Sequence, residues 1–497
     1  MRQNHLPRRP ASGSAKKHMP DTATVTAASL ADEHNRQKYF DSAVLVILLI
    51  LGIYNSALYF GYKVMPTSDF PAFFGVGKAV LSGHLPADFK RGPVLGIFQV
   101  LLSWVVGGQS PDLTAGWLLN ALLYPASVVL LWLVGRKLVG NSAIWLAIIV
   151  AINPQTILML TDPIAETTLM FFILLTLYLI FIRSRWSYTA AAAASMIRYE
   201  CAALIFAAFI VDVIYHKTAR ERVKACVFLI LGSMPLAFWM LETLLHWQSQ
   251  DATHYLKVFS PEYGKLFTNQ SLQNKIGLFR HLNLLWYVGF NPVLMPDPTT
   301  GQDVFQAVET FSKVFIMAGF LFGAVYGCLK KNWNIVVLLI FFVPYVVTHS
   351  RYPYLVPRYY QTVFWIAMFV CWYGYRELWR LIDKNGRVPR LIVIAVQALL
   401  LLVAMLWLNL LLPFMGELKT ISPGSSSIPY VVGAAMAAIA LAYGVIYKAR
   451  RLFTVITVSA VMVLIVISNQ FMLASVVRDG QVQAEFKQLA QWYLANI

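Results

Sequence analysis

The sequence predicts an all-α protein that crosses a membrane many times, and three observations carry that expectation. Hydrophobic residues make up 58% of the 497 positions and charged ones 13%; the mean hydropathy is +0.62. That leaves too little polar surface for a soluble globule of this length. The apolar residues come in runs long enough to span a bilayer, separated by short loops, with none of the alternation of a β-barrel. The basic residues fall in alternate loops, which is how a positive-inside bias produces a net charge of +17. The bilayer is therefore the expected basic-residue partner, and nucleic acid is not.

Residues 1–41 are polar, carry Arg8, Arg9, Lys16, Lys17, Arg36 and Lys38, and read as a disordered cytoplasmic tail. The first apolar run, 42–62, is too long for a signal-peptide core and lacks a small-residue cleavage site, so it is expected to remain as an anchor. Further runs lie near 116–135, 142–160, 166–182, 187–199, 201–215, 225–246, 308–329, 334–348, 361–379, 391–413, 429–447 and 452–473, giving about thirteen transmembrane helices over 42–473. With the basic tail inside, seven basic segments agree with one orientation. That orientation requires the pair at 187–215 to be a genuine re-crossing. It sends loops 63–115, 161–165, 247–307, 349–360 and 414–428 outside, together with the short tail 474–497. Cys201, Cys226, Cys328 and Cys371 lie within or at the ends of apolar runs and read as small buried hydrophobes.

The unusual residues collect in the outer loops. In 63–115, Phe70–Leu81 places Phe73, Phe74, Val76, Gly77, Val80 and Leu81 as an interfacial helix would, and "VLGIFQVLLSWVVGG" is apolar but too short to span. Asp69 opens that helix. It reads either as a helix cap within "TSDF" or as a general base in a partly dry cleft. "TDPIAET" sets Asp162 and Glu166 four residues apart, and these acids either cap the following helix or position an acceptor, sugar hydroxyls or a divalent cation. One acid pair without clustered His or Cys is thin support for a metal.

"SMIRYECAAL" carries Arg198 and Glu200 at membrane depth, where ionisable groups face a cavity or a partner. They read either as a structural pairing of the two, or of Arg198 with a carbonyl, or as a phosphate ligand supplied by Arg198. "THSRYPYLVPRYYQT" holds His349, Arg351 and Arg358 among Tyr352, Tyr354, Tyr359 and Tyr360. Arginines are scarce on the outer side, and a guanidinium grips phosphate with two parallel hydrogen bonds. With Lys90 and Arg91 of the first loop, these cations suit departure of a lipid phosphate while an acid activates the nucleophile. The phosphate-cradling Gly-rich loop of ATP chemistry does not appear.

These residues resemble the GT-C superfamily of integral-membrane glycosyltransferases, in particular bacterial relatives of protein O-mannosyltransferases and of the lipid A aminoarabinose transferase. The resemblance lies in "SDFPAFFGVGKAVLSGHL", "GWLLNALLYPASVVLLWLVGRKLVG", "NPQTILMLTDPIAETTLMFFILL", Arg198 and "PRYYQ", in order across most of 42–375. It implies a GT-C-like fold and an inverting transferase that uses a polyprenyl-phosphate monosaccharide, with Asp69 as the base. Many protein mannosyltransferases carry an adjacent acid pair and an aromatic-Pro-Pro run where this chain has a lone Asp69 and "KRGPV".

The expected function is transfer of a monosaccharide from a polyprenyl-phosphate donor to a lipid, glycan or protein acceptor at the outer face of the cytoplasmic membrane. Asp69 is the base; Asp162, Glu166 and His349 position acceptor or sugar; Lys90, Arg91, Arg198, Arg351, Arg358 and Tyr359 hold the donor phosphate. A transporter or flippase of a lipid-linked sugar, or a glycan polymerase or ligase, would use similar cations. The thirteen-span topology makes one direct prediction: a reporter fused after residue 497 is exported, and a reporter active only in the cytoplasm removes one crossing.

Overall fold

The computed structural model describes residues 22–63, 66–67, 69–86, 89–108, 110–215, 218–246, 302–350 and 358–382, the side chains of 22–37, 154, 302–312 and 382 aside. The expected helices at 391–473, most of the outer loop 247–307, Arg351 and the tail 474–497 lie outside these residues. All described regular structure is helical.

Residues 1–47 form one unit and 48–497 another. Helix α1, Thr22–Leu58, reaches well back into the segment expected to be disordered. The stretch from Thr22 to Leu51 has no Pro or Gly, so a helix nucleated by the apolar run can propagate through its Ala-, Glu-, Gln- and Lys-containing neighbour.

In the second unit, the segment 63–115 supplies α2, Asp69–Leu81, and α3, Pro93–Ser103. Then come α4, Pro111–Val139; α5, Ala143–Ala151; α6, Pro154–Thr161; α7, Ala165–Phe181; α8, Ser187–Ser195; α9, Ala203–Tyr215; and α10, Ala219–Leu245. After the undescribed loop follow α11, Gln302–Leu329; α12, Trp333–Ser350; the single turn α13, Arg358–Gln361; and α14, Phe364–Ile382.

Among the described residues, four stretches are long and apolar enough to cross a membrane: Lys38–Leu58, Pro111–Ala151, Ala219–Leu245 and Trp333–Ser350. The chain is a multi-pass membrane protein on that basis. A fifth crossing results if α6 and α7, bent by 116° at Asp162–Ile164, count together. Several expected spans are divided. The run 142–160 breaks before Pro154, which cannot donate into the preceding turn, and Asn153 caps the new helix by accepting from Gln155 N at 2.9 Å. The pair at 187–215 becomes nine residues of α8 and thirteen of α9 around a 3-10 turn, Tyr199–Ala202. Each is shorter than the roughly 20 residues of a full span.

Glycines let the first loop dock at backbone distance. A Cβ on Gly77 of α2 would lie 2.0 Å from the Gly96 carbonyl carbon of α3, and one on Gly96 would lie 2.0 Å from Phe73 O. Gly92, at the mouth of α3, faces Met196 O, which its Cβ would meet at 1.8 Å. This contact places Arg91 beside the turn that carries Arg198. At Gly116 of α4, a Cβ would meet Pro163 at 2.7 Å and the Phe70 ring at 2.9 Å, so α2, α4 and the α6–α7 corner share one point. Small residues permit the same closeness between α11 and α14, where a Gly374 Cβ would lie 2.2 Å from Gly319 O.

This packing predicts that Gly77→Ala forces α2 and α3 apart, with a loss of about 1–3 kcal/mol or more from overpacking. Gly75→Ala, one position before Val76 in open space, leaves stability unchanged or slightly raised, since Gly is the poorer helix former. Thermal unfolding of the two detergent-solubilised variants distinguishes them; equal midpoints would show that the α2–α3 contact is not tight.

Candidate functional site

Asp69 begins α2, and both of its carboxylate oxygens face arginines rather than the helix amides. Arg91 Nη2 donates to Oδ1 at 2.6 Å and Arg358 Nη2 donates to Oδ2. Burial raises the Asp69 carboxyl, but the hydrogen bond from Arg91 and the charge of Arg358 outweigh it and hold the group below the usual carboxylate range. The capping reading of Asp69 is therefore replaced by an ion triad.

Each arginine arrives from a separate element. Arg91 precedes Gly92 and α3, and its guanidinium lies 5.5 Å from the Phe73 ring centre. Its segment is anchored through Phe89, whose carbonyl accepts from Tyr199 Oη at 2.8 Å while Trp239 Nε1 of α10 donates to the same hydroxyl at 2.8 Å. Phe89 packs against Trp239 in a small apolar cluster with Val76. Arg358 sits on α13. That turn is fixed by Tyr345 Oη of α12, donating to Tyr359 O at 3.0 Å, and by Gln361 Nε2, donating to Gln155 Oε1 of α6 at 2.7 Å.

The ion chain continues inward. Arg358 Nε lies 3.7 Å from Glu166 Oε1, too far for a hydrogen bond but within charge contact, while Arg198 Nη2 donates to the same oxygen at 3.0 Å. Burial lowers the Arg358 guanidinium, but the charges of Glu166 and Asp69 raise it above its ordinary value. The order is thus Arg91, Asp69, Arg358, Glu166, Arg198, with charges alternating. Both Arg198 and Arg358 rest against the Tyr359 ring, at 4.2 and 5.6 Å from its centre.

Glu166 owes its place to a corner held by side-chain amides. Asn120 Nδ2 of α4 donates to Asp162 O at 2.7 Å, Gln99 Nε2 of α3 to Pro163 O at 2.9 Å, and Thr167 Oγ1 to Met159 O at 2.8 Å. Pro163 and these bonds turn the chain from α6 into α7 and present Asp162 and Glu166 to neighbouring cations. Asp162 takes Lys63 Nζ and also accepts from Thr67 Oγ1 at 3.4 Å.

Behind Tyr359 lies a second buried pair. His349 has no exposed surface and stacks on Tyr359 at 4.7 Å; its Nε2 is 3.7 Å from Glu200 Oε1. Neither Glu200 oxygen accepts a hydrogen bond from another described side chain. Arg198 has its hydrogen-bonded partner in Glu166, and Glu200 lies beside His349.

Of the sequence-derived site residues, the structure brings Asp69, Arg91, Glu166, Arg198, Arg358 and Tyr359 into one cluster and places His349 beneath it. Asp162 joins the α1–α2 connector through Lys63, and Lys90 is half-buried beside Arg91. Three participants were missed: Lys63, Thr67 and Glu200 as a partner of His349. Lys63 carried a usable signal, since under the expected topology a lysine there runs against the positive-inside bias in the same way as Arg358. The donor set does not suit a divalent cation. Asp69, Asp162 and Glu166 are each matched to a guanidinium or ammonium, and among the described residues no three His, Cys, Asp or Glu side chains group as metal ligands would.

No family model and no curated protein sequence matches the chain. Solved structures similar to it include ArnT from Cupriavidus metallidurans bound to undecaprenyl phosphate, at 12% identity over 89% of this chain and 77% of that one, with a TM-score of 0.46. The apo state of the same protein gives 12% identity, 90% and 78% coverage and a TM-score of 0.43. The archaeal oligosaccharyltransferase AglB from Archaeoglobus fulgidus, in complex with an inhibitory peptide and a dolichol-phosphate, gives 12% identity, 70% and 52% coverage and a TM-score of 0.38.

Proposed function

We propose that the chain is an inverting glycosyltransferase that moves a monosaccharide from a polyprenyl-phosphate donor to a hydroxyl of a lipid, glycan or protein acceptor, working at the extracytoplasmic face of the cytoplasmic membrane. The observation that supports it best is the convergence of two arginines on one carboxylate at the edge of the apolar helices. On this reading the base and the cations of the phosphate site meet at one side chain.

In the proposed reaction Asp69 takes the proton of the acceptor hydroxyl while that oxygen bonds to the anomeric carbon, on the face opposite the phosphate. The bond from the anomeric carbon to the phosphate oxygen breaks, its electron pair stays with the phosphate, and the configuration inverts. Arg358 and Arg91 stabilise the charge gained by the departing lipid phosphate, with Lys90 and Arg351 assigned to the same anion. Arg198 is only 8% exposed and already holds Glu166, so its role here is to fix Glu166 and, through it, Arg358. Asp162 orders the connector ahead of α2.

A second reading has one observation in its favour: the 116° bend between α6 and α7 is the kind of broken helix from which transporters build substrate sites. In a transporter of a lipid-linked sugar the arginines would hold the headgroup and Asp69 would do no proton chemistry.

Asp69→Asn separates the two readings. The amide keeps the size of the side chain but takes no proton, so donor binding and thermal stability persist while single-turnover transfer from a polyprenyl-phosphate sugar falls roughly 100- to 10,000-fold, the usual loss when acid–base assistance is removed. Normal transfer in this variant would move the base elsewhere, and flipping of a lipid-linked sugar without transfer would favour the transporter.

Arg358→Lys keeps the charge and loses the fork. Charge-assisted hydrogen bonds contribute about 1.5–3 kcal/mol each, so losing one slows transfer by roughly tenfold or more. Wild-type steady-state kinetics in this variant would show that Arg358 does not grip the phosphate.

A further inference from the structure

We infer that Arg91 and Arg358 serve two anions in turn, Asp69 in the empty protein and the donor phosphate once lipid is bound, so that donor binding itself releases the base. The inference rests on the glycosyl-transfer reading above.

The empty site poses the problem. A general base works best when its proton affinity lies near the operating pH, yet each Asp69 oxygen is occupied by a guanidinium, and together these contacts hold the carboxyl below its ordinary range. So held, each Asp69 oxygen keeps a second lone pair, but the carboxyl has little affinity for an acceptor proton while both guanidiniums stay. Something must draw the arginines away before it can act.

Burial decides which contacts can exchange. The Arg198–Glu166 pair is 8% and 2% exposed, and separating it would strand a buried charge at high cost. In the outer triad, Arg358 is 29% exposed, Asp69 24% and Arg91 16%. An ion pair that keeps part of its hydration is easier to separate than an enclosed one, so a phosphate can replace a carboxylate there at smaller loss. Arg358 is also tethered for such a move. Its Nε has no hydrogen-bond partner in the resting arrangement, and the nearby Glu166 keeps its charge at the site while the Nη end changes anion.

The probe is undecaprenyl phosphate, with its affinity measured in detergent for wild type, Asp69→Asn, Arg91→Gln/Arg358→Gln and the combination. Hand-over predicts that Asp69→Asn binds the lipid about tenfold more tightly, because no carboxylate competes for the arginines, and that this gain disappears in the Arg91→Gln/Arg358→Gln background. An equal gain in both backgrounds means simple repulsion between Asp69 and phosphate and overturns the hand-over, as does unchanged or weaker binding by Asp69→Asn. Infrared difference spectra of the wild-type protein test the exchange without substitution: a carboxylate band shifts when lipid removes the guanidinium contacts, and unaltered carboxylate bands refute it. Failure of wild type to bind the lipid at all would instead count against the glycosyl-transfer reading.

Discussion

An ionised carboxylate at the margin of a bilayer must have counter-charges, and the architecture of this site follows from satisfying Asp69. Its two oxygens take one arginine from the first loop and one from a turn 289 residues later. Neither arginine can be offered by a helix that merely spans the membrane. The first loop therefore folds back as α2 and α3, and a single helical turn is set between α12 and α14 to carry Arg358. A chain of alternating charges then runs inward to Arg198, each group shielding the next in a region where isolated charges are costly.

Such a chain works only if its members are held to within fractions of an ångström, and apolar contacts and neutral hydrogen bonds do that work. Gly77, Gly92 and Gly96 remove the side chains that would keep α2, α3 and the Met196 turn apart. Tyr199 links Phe89 to Trp239, and the amides of Asn120 and Gln99 hold the Asp162–Ile164 corner by its carbonyls. The polar groups of these anchors are spent on backbone atoms. The arginines and acids are left to meet one another.

Much of the first loop was legible in the sequence. The aromatic spacing after Asp69 and the short apolar stretch after Pro93 correspond to α2 and α3, because an interfacial helix shows its buried face as periodicity. Asp69, Arg91, Arg198 and Arg358 were legible as charges in apolar company. The partners were not. Glu166 meets Arg198 from 32 positions away and Arg358 meets Asp69 from the far side of an undescribed loop, and no local pattern records such pairings. Arg198 and Glu200 were read together because they are neighbours in sequence. Side chains two apart do not share a face in a helical turn, and the structure sends each to a different element. The run 142–160 was read as one helix although Pro154 interrupts it; composition averaged over a window hides a single missing N–H, whereas the backbone cannot.

The depth of burial separates two kinds of ion pair that a list of contacts would treat alike. Arg198–Glu166 is enclosed, its desolvation already met, and any exchange there would have to meet it again for the charge left behind. The Asp69 triad keeps 16–29% of its side-chain surface exposed, so an exchange of anion there would leave part of the hydration in place. On the proposed glycosyl-transfer reading, a rigid inner pair supporting a labile outer one would reconcile two demands on the same cations: to keep Asp69 neutralised in the empty protein, and to leave it able to accept a proton in the loaded one. With the enclosed pair at Asp69 instead, the proposed release by a donor would have to overcome the full cost of separating buried charges.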